Sequence, residues 1–139
     1  MLVAKCYSQK HEINYDEVFA LVSRLETIRL IIVTTTQDRW KIYQIDVKSV
    51  FLNGFFKEEF YIKELMSYEV KEHKNKSLKL NKALYELKQA PKAWYSRIDD
   101  YFLNNIFVKY PYEYAIYVKI TEIGDTFIVC LYMDDLIIT

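Results

Sequence analysis

Apolar positions along this chain repeat with two different periods, and the change from one to the other predicts its elements. Leu25, Ile28, Ile31, Ile32 and Thr35 recur at three- and four-residue steps. That is the period of one helix face, so a helix is expected to about Asp38. Ser23-Arg24-Leu25-Glu26 has the capping-box spacing that opens such a helix. Residues 40–51 are rich in β-branched and aromatic side chains and read as a strand running into a turn or short helix at Leu52-Asn53-Gly54, whose Asn-Gly is a turn signal. Shorter strands are expected at 60–63 and 78–80, with a polar, Lys-rich connection between them. Pro91 sits well in a first helical turn, and Trp94, Ile98, Tyr101, Phe102 and Asn105 then share a face, giving a second helix over 91–105 that should cover a sheet. Strands at 114–120 and 126–131, joined at Gly124-Asp125, and a last strand at 136–138 complete the chain, while residues 1–8 alternate weakly, as a truncated strand would. This order predicts an α/β (α+β) sandwich with helices on one face of a largely antiparallel sheet.

Composition narrows the class. At 139 residues the chain is the size of one domain, and 52% hydrophobic with 17% aromatic residues argues for a filled core rather than disorder. No apolar run approaches a membrane span, and the first residues lack the regions of a signal peptide. Cys6 and Cys130 imply neither a disulfide framework nor a zinc site, so an intracellular, reducing setting is expected. Nineteen basic residues balance 19 acidic ones, which argues against holding nucleic acid by bulk charge. A local basic track remains in Lys71, Lys74, Lys76, Lys79, Lys82, Lys88 and Lys92, opposed by Glu72 and Glu86. Its plainer reading is a solvated loop and helix face.

The chemistry concentrates in TFIVCLYMDDLIIT, residues 126–139. Asp134-Asp135 falls between two apolar strands, at the turn of a hairpin. Adjacent carboxylates repel and are expensive to desolvate, so a cation resolves the arrangement, and an all-oxygen ligand set suits Mg²⁺. Asp-Asp is equally an ordinary solvated turn dipeptide. Asp46, in Gln44-Ile45-Asp46-Val47, ends an apolar strand and is expected to be a buried acid in need of a partner. If its strand lies beside the hairpin, three carboxylates converge to on the order of 4–7 Å, as two-metal phosphoryl transfer requires. The alternative is an edge or turn Asp satisfied by the backbone.

QIDVKSVFLNG (44–54), ALYELKQAPKAWY (83–95) and CLYMDDLIIT (130–139), with YSQKHEINYDEVFALVSRLETIRL near the start, resemble the reverse transcriptase of copia-type LTR retrotransposons. The likeness runs over essentially the whole chain. It implies a right-hand polymerase palm over about 40–139 with a remnant of the fingers over about 1–40; the thumb and RNase H regions are expected to be absent. Such a domain copies an RNA or DNA template from a primer, using deoxynucleoside triphosphates and two Mg²⁺ ions, with Mn²⁺ as a substitute. The resemblance further implies that Asp46, Asp134 and Asp135 are the catalytic metal ligands, with the Val47 carbonyl as a further one. Phe51 would be the bulky residue that closes against a ribose 2′-hydroxyl, Gln89 the glutamine that contacts the incoming nucleotide, and Tyr132 and Met133 the residues against the primer end. The implied partners are the rest of a Pol polyprotein (thumb, RNase H and integrase), in a cytoplasmic virus-like particle and without a membrane.

Departures from the family pattern point the other way. Cys6, Arg39, Ser67 and Glu86 stand where the family usually has Gly, and Leu21, Leu65 and Met66 where it usually has Pro. A Gly that serves a positive-φ turn is not freely exchanged, and Glu86, close to Gln89, is the most suspect. This is the pattern of a decaying copy. Two other readings therefore stand beside the polymerase: a catalytically inactive degenerate fragment, and a non-catalytic nucleic-acid-binding module in which Asp134-Asp135 is only a turn.

Overall fold

The computed structural model describes residues 9–10, 22–63 and 77–139. The expectations for residues 1–8, for Cys6, Leu21, Leu65, Met66 and Ser67, and for Lys71, Lys74 and Lys76 lie outside them. Among the described residues the structure is mixed α/β, with antiparallel sheets and two helices, α1 (Leu25–Gln37) and α2 (Ala90–Asn104). A five-stranded sheet contains β1 (Tyr43–Asp46), β4 (Val108–Lys109), β5 (Ile116–Ile120), β6 (Thr126–Tyr132) and β7 (Asp135–Ile138) in the order β1-β7-β6-β5-β4. The remaining strands, β2 (Phe55–Lys63) and β3 (Ser77–Lys82), pair antiparallel with each other.

Strand period decides what faces what. Val129 and Leu131 on β6, Leu136 on β7 and Tyr117 on β5 point to one face, where Phe102, Ile98 and Tyr95 of α2 cover them. Cys130 points to the other face and donates its thiol to Ser23 Oγ at 3.2 Å. The expectation that both helices lie on one face is therefore corrected: the entry to α1 is anchored on the face opposite α2. The capping box is corrected by the same contact. Arg24, not Ser23, is the N-cap of α1 and makes no side-chain cap bond, because Ser23 is buried against Cys130.

The strand expected over 40–51 is shorter. Only Tyr43–Asp46 pair, and Val50–Asn53 form a 3₁₀ turn. All four β1 residues are exposed, since an edge strand has a neighbour on one side only. The stripe on α2 is also displaced: Trp94 and Phe102 are buried as expected, but Tyr101 is 59% exposed, and Ala90 and Ala93 take its place inside. They do so because the first turns of α2 serve a second core, with Ala83 and Leu87, flanked by Phe51, Phe56, Phe60 and Leu80.

Gly54 explains how close that packing is. Its φ of −76° is open to any residue, so the Asn-Gly signal does not report a positive-φ turn. A Cβ at Gly54 would meet the backbone of α2, 2.7 Å from Trp94 N and 2.9 Å from Ala93 C. Glycine is there because two main chains touch.

Both helices end in Schellman geometry without glycine. In α1, Trp40 N–H donates to Thr35 O and Arg39 N–H to Thr36 O, with Arg39 at φ 57°. In α2, Phe107 N–H donates to Phe102 O and Ile106 N–H to Leu103 O, with Ile106 at φ 66°. A chain with two glycines places L side chains where glycine is the usual choice.

Candidate active site

Two neighbouring strands build the site. β6 and β7 form a hairpin in which Tyr132 opposes Asp135, so the connecting residues are Met133 and Asp134. The expected turn at Asp134-Asp135 is thus displaced by one residue: Asp134 is at the tip and Asp135 begins a strand. Met133 has φ 52° and Asp134 does not share a positive φ, so one L residue of this two-residue turn holds a left-handed φ that favours glycine. Trp94 Nε1 donates to the Met133 carbonyl at 3.1 Å and ties this strained turn to α2.

β1 lies on the other side of β7. Asp46 is the register partner of Asp135, and Val47 N–H donates to the Asp134 carbonyl at 2.9 Å. The adjacency that sequence spacing could not supply is therefore present in the backbone. Directly opposed antiparallel residues project to the same face with Cβ atoms about 4.5–5.5 Å apart. Asp46, Asp135 and Tyr132 thus form a row across one face, the face away from α2. Gln44 Nε2, two residues before Asp46 on that face, donates to Asp135 Oδ1 at 3.2 Å.

Burial differs from the expectation. Asp46 and Asp134 are exposed and Asp135 is half-buried, so the desolvation cost inferred from their apolar neighbours is small. The reason is positional: Asp46 ends an edge strand and Asp134 is a hairpin tip. Among the described residues, no three or more His, Cys, Asp or Glu side chains are gathered closely enough to hold a metal ion. The backbone pairs Asp46 with Asp135 and bonds Val47 to Asp134, without gathering the three carboxylates into a cation site.

The other candidate positions separate into two groups. Tyr132 and Met133 are at the hairpin, 39% and 45% exposed. Gln89 is the N-cap of α2, the helix whose Trp94 holds the turn. Phe51 is half-buried; it packs against the second core and meets Tyr85 edge-on, with ring centroids 5.2 Å apart. Within the described part of the basic track, Lys79 is paired to Glu59, and Lys82 keeps its charge 5.5 Å over the Phe55 ring.

A family described as reverse transcriptase (RNA-dependent DNA polymerase) matches residues 1–139. The chain belongs to that family. Its relatives place it in the copia-type branch. The retrovirus-related Pol polyprotein from transposon TNT 1-94 of Nicotiana tabacum is 36% identical over 137 residues, covering 99% of this chain and 10% of that protein. The corresponding polyproteins from transposons RE1 and RE2 of Arabidopsis thaliana are 35% and 34% identical over 139 residues, each with 99% of this chain and 9% of the relative covered. The chain spans about a tenth of the length of these curated relatives. No solved structure matches it.

Within this reverse transcriptase chain, Trp94 and Gln44 are the residues that sequence reasoning missed. In the sequence Trp94 is only one member of a helix stripe, and nothing in the spacing links it to Met133. Gln44 carried a usable signal, since period two puts it on the face of Asp46.

Proposed function

We propose that the chain is the palm, with part of the fingers, of the RNA-directed DNA polymerase of a copia-type Pol polyprotein, and that Asp46, Asp134 and Asp135 are its metal ligands. The single observation that carries this reading is the pairing of Asp46 with Asp135 beside the Val47 to Asp134 main-chain bond. Three carboxylates at one end of two adjacent strands form an all-oxygen donor set that suits Mg²⁺. When bound, two Mg²⁺ ions, or Mn²⁺ in their place, supply the charge that activates a primer 3′-hydroxyl and neutralises the triphosphate. Asp46 and Asp134 are exposed and are free to turn toward Asp135 without unpacking a core. The Val47 carbonyl adds a ligand, Tyr132 and Met133 support the primer end, and Gln89 contacts the incoming deoxynucleoside triphosphate. Phe51 rejects the ribose 2′-hydroxyl once template and primer are bound. The thumb, RNase H and integrase of the polyprotein, in a cytoplasmic particle, complete the machinery.

Titration of the chain with Mn²⁺, followed by water-proton relaxation, tests this proposal. Binding that Asp134→Asn abolishes is the expected result, and a folded chain that binds no Mn²⁺ overturns it. Catalysis needs more than the ligands, because misplacing the primer end alone costs about 10²-fold. The isolated chain should therefore show no sustained synthesis on poly(rA) with dTTP, whereas a chimaera with a related thumb should.

One observation favours a second reading, a catalytically silent copy. Arg39 and Glu86, both at positions where the family usually has Gly, have φ of 57° and 68°. A thumb-bearing chimaera that is silent until Glu86→Gly is introduced would establish that reading.

A further inference from the structure

Three elements meet at the ring of Phe55. It opens β2 and is the register partner of Lys82 at the end of β3, so the two side chains project to the same face of that ribbon. Ala83 N–H donates to the Gly54 carbonyl at 2.9 Å, and Gly54 lies against the backbone of α2 at Ala93 and Trp94. Arg97, one helical turn after Ala93, therefore reaches the same ring. Its guanidinium carbon is 4.9 Å from the Phe55 centroid, and Lys82 Nζ is 5.5 Å from it. Arg97 Nη1 also donates to the Asn53 carbonyl at 2.5 Å, which anchors the guanidinium.

Two cations on one ring repel each other. They are no farther apart than these two distances laid end to end, about one Debye length at 0.1 M salt, roughly 10 Å, so salt screens the repulsion only in part. Among the described residues no carboxylate, Asp100 one turn further along α2 included, comes within ion-pair distance of either cation. Lys79 on the same ribbon, by contrast, is paired to Glu59. The result is an uncompensated positive spot on a chain of zero net charge. An anion that bridges both cations removes the repulsion, and the planar fork of Arg beside the point charge of Lys fits the oxygens of a phosphate. Phe55 is still 49% exposed, which leaves an apolar ring beside that phosphate for a sugar or base. A nucleic-acid strand offers both groups at once; an acidic peptide offers only the charge.

We propose that Lys82 and Arg97, gathered on Phe55, bind a backbone phosphate of a single nucleic-acid strand and hold it against the β2–β3 ribbon. The choice of ligand rests on the polymerase reading, but the site uses none of the aspartates.

The test uses the whole 139-residue chain without divalent metal, a fluorescein-labelled oligothymidylate as the probe, and fluorescence anisotropy from about 50 to 200 mM salt. Lys82→Gln and Arg97→Gln should each reduce the slope of log K against log salt by about 0.7, the share of one phosphate contact on a single strand, and so weaken binding about fivefold near 0.1 M salt. Both side chains are exposed, so neither substitution opens a core. Arg97→Lys keeps the charge and should keep the slope. Lys119 also lies 5.5 Å over a phenyl ring, that of Phe107, but on the five-stranded sheet. Lys119→Gln should leave slope and affinity nearly unchanged. Equal losses from all three Gln variants, which would mean bulk charge, overturn the proposal, and so does a folded chain that binds no strand; Mn²⁺ binding by the aspartates then decides the polymerase reading separately. Displacement of the probe by oligoglutamate as readily as by unlabelled oligothymidylate, or by an equal concentration of dTTP, overturns the assignment to a strand. Strand binding that needs Lys82 and Arg97 in a chain that takes up no Mn²⁺ keeps this site and overturns the polymerase reading instead.

Discussion

The indole N–H of Trp94 donates to the carbonyl of Met133 at 3.1 Å, so the helix that begins at the candidate nucleotide corner also holds the tip of the aspartate hairpin. Met133 occupies left-handed space at φ 52°, a conformation that needs outside support in an L residue. Trp94→Phe keeps most of the buried ring and removes only this bond. It should cost about 1 kcal/mol, the usual net value of one hydrogen bond, and should broaden the Met133 and Asp134 amide resonances. Urea unfolding and amide spectra of the variant check both effects; unchanged spectra would show that the turn holds itself.

Gly54→Ala should be among the most damaging small changes in the chain. The added methyl would lie 2.7 Å from Trp94 N and 2.9 Å from Ala93 C, and helix backbone has no side-chain rotamer by which to retreat. Overpacking of this kind costs roughly 1–3 kcal/mol. The expected result is a lower urea midpoint, together with loss of the Arg97 Nη1 bond to Asn53 O, now 2.5 Å.

Left-handed residues predict stabilising changes. Arg39 and Ile106 occupy the position after a helix where glycine is usual, and Glu86 has φ 68° at the third position of a turn closed by Leu87 N–H to Leu84 O. Arg39→Gly and Glu86→Gly should each raise stability by roughly 0.5–1 kcal/mol, the relief of left-handed strain less the entropy glycine adds to the unfolded chain. Ile106→Gly should gain at least as much, because its branched Cβ is the worst fit to that conformation and its side chain, 77% exposed, gives up little packing. A rise in denaturation midpoint with an unchanged denaturant slope is the expected reading.

Alkaline pH should destabilise the fold through the cluster that joins α2 to β4 and β5. Tyr117 donates its hydroxyl to Asp99 Oδ1 at 2.6 Å, and Lys109 Nζ lies 2.9 Å from the same oxygen. Burial, followed by the bond to Asp99, raises the Tyr117 hydroxyl far above its ordinary 10.0. Burial opposes the charge on Lys109, but its bonds to Tyr95 and Asp99 prevail and raise it above 10.5. Both groups keep protons in the folded chain that the unfolded chain releases, so their stabilisation is complete below about pH 10 and is lost as pH rises beyond it. Tyr117→Phe should lower stability at neutral pH by about 1 kcal/mol through loss of the bond, and should flatten the alkaline decline. Unfolding free energies from pH 7 to pH 11 are the measurement, and parallel curves for the two proteins would overturn the assignment.

Much of this architecture is legible in the sequence, and the divide follows the range of the interaction. The helices at Leu25–Gln37 and Ala90–Asn104 and the strands on either side of Met133-Asp134 were readable because period, Pro91 and apolar runs are local signals. The blocks around Asp46, Gln89 and Asp134-Asp135 carried the family by themselves, and a likeness along the whole chain supports it. Arg39 and Glu86 were also legible as misplaced, since a backbone that requires positive φ resists L side chains wherever it occurs. What only the tertiary structure decided was which segments meet: Asp46 against Asp135, Gly54 against the backbone of α2, Ser23 diverted from its cap by Cys130, and Trp94 on Met133. Each joins residues distant in sequence, where no propensity or spacing links the partners and shape and sheet register alone select them. The exposure of Asp46 and Asp134 was settled in the same way, because an apolar run records how a strand is composed, whereas burial depends on whether a second strand or a helix lies against it.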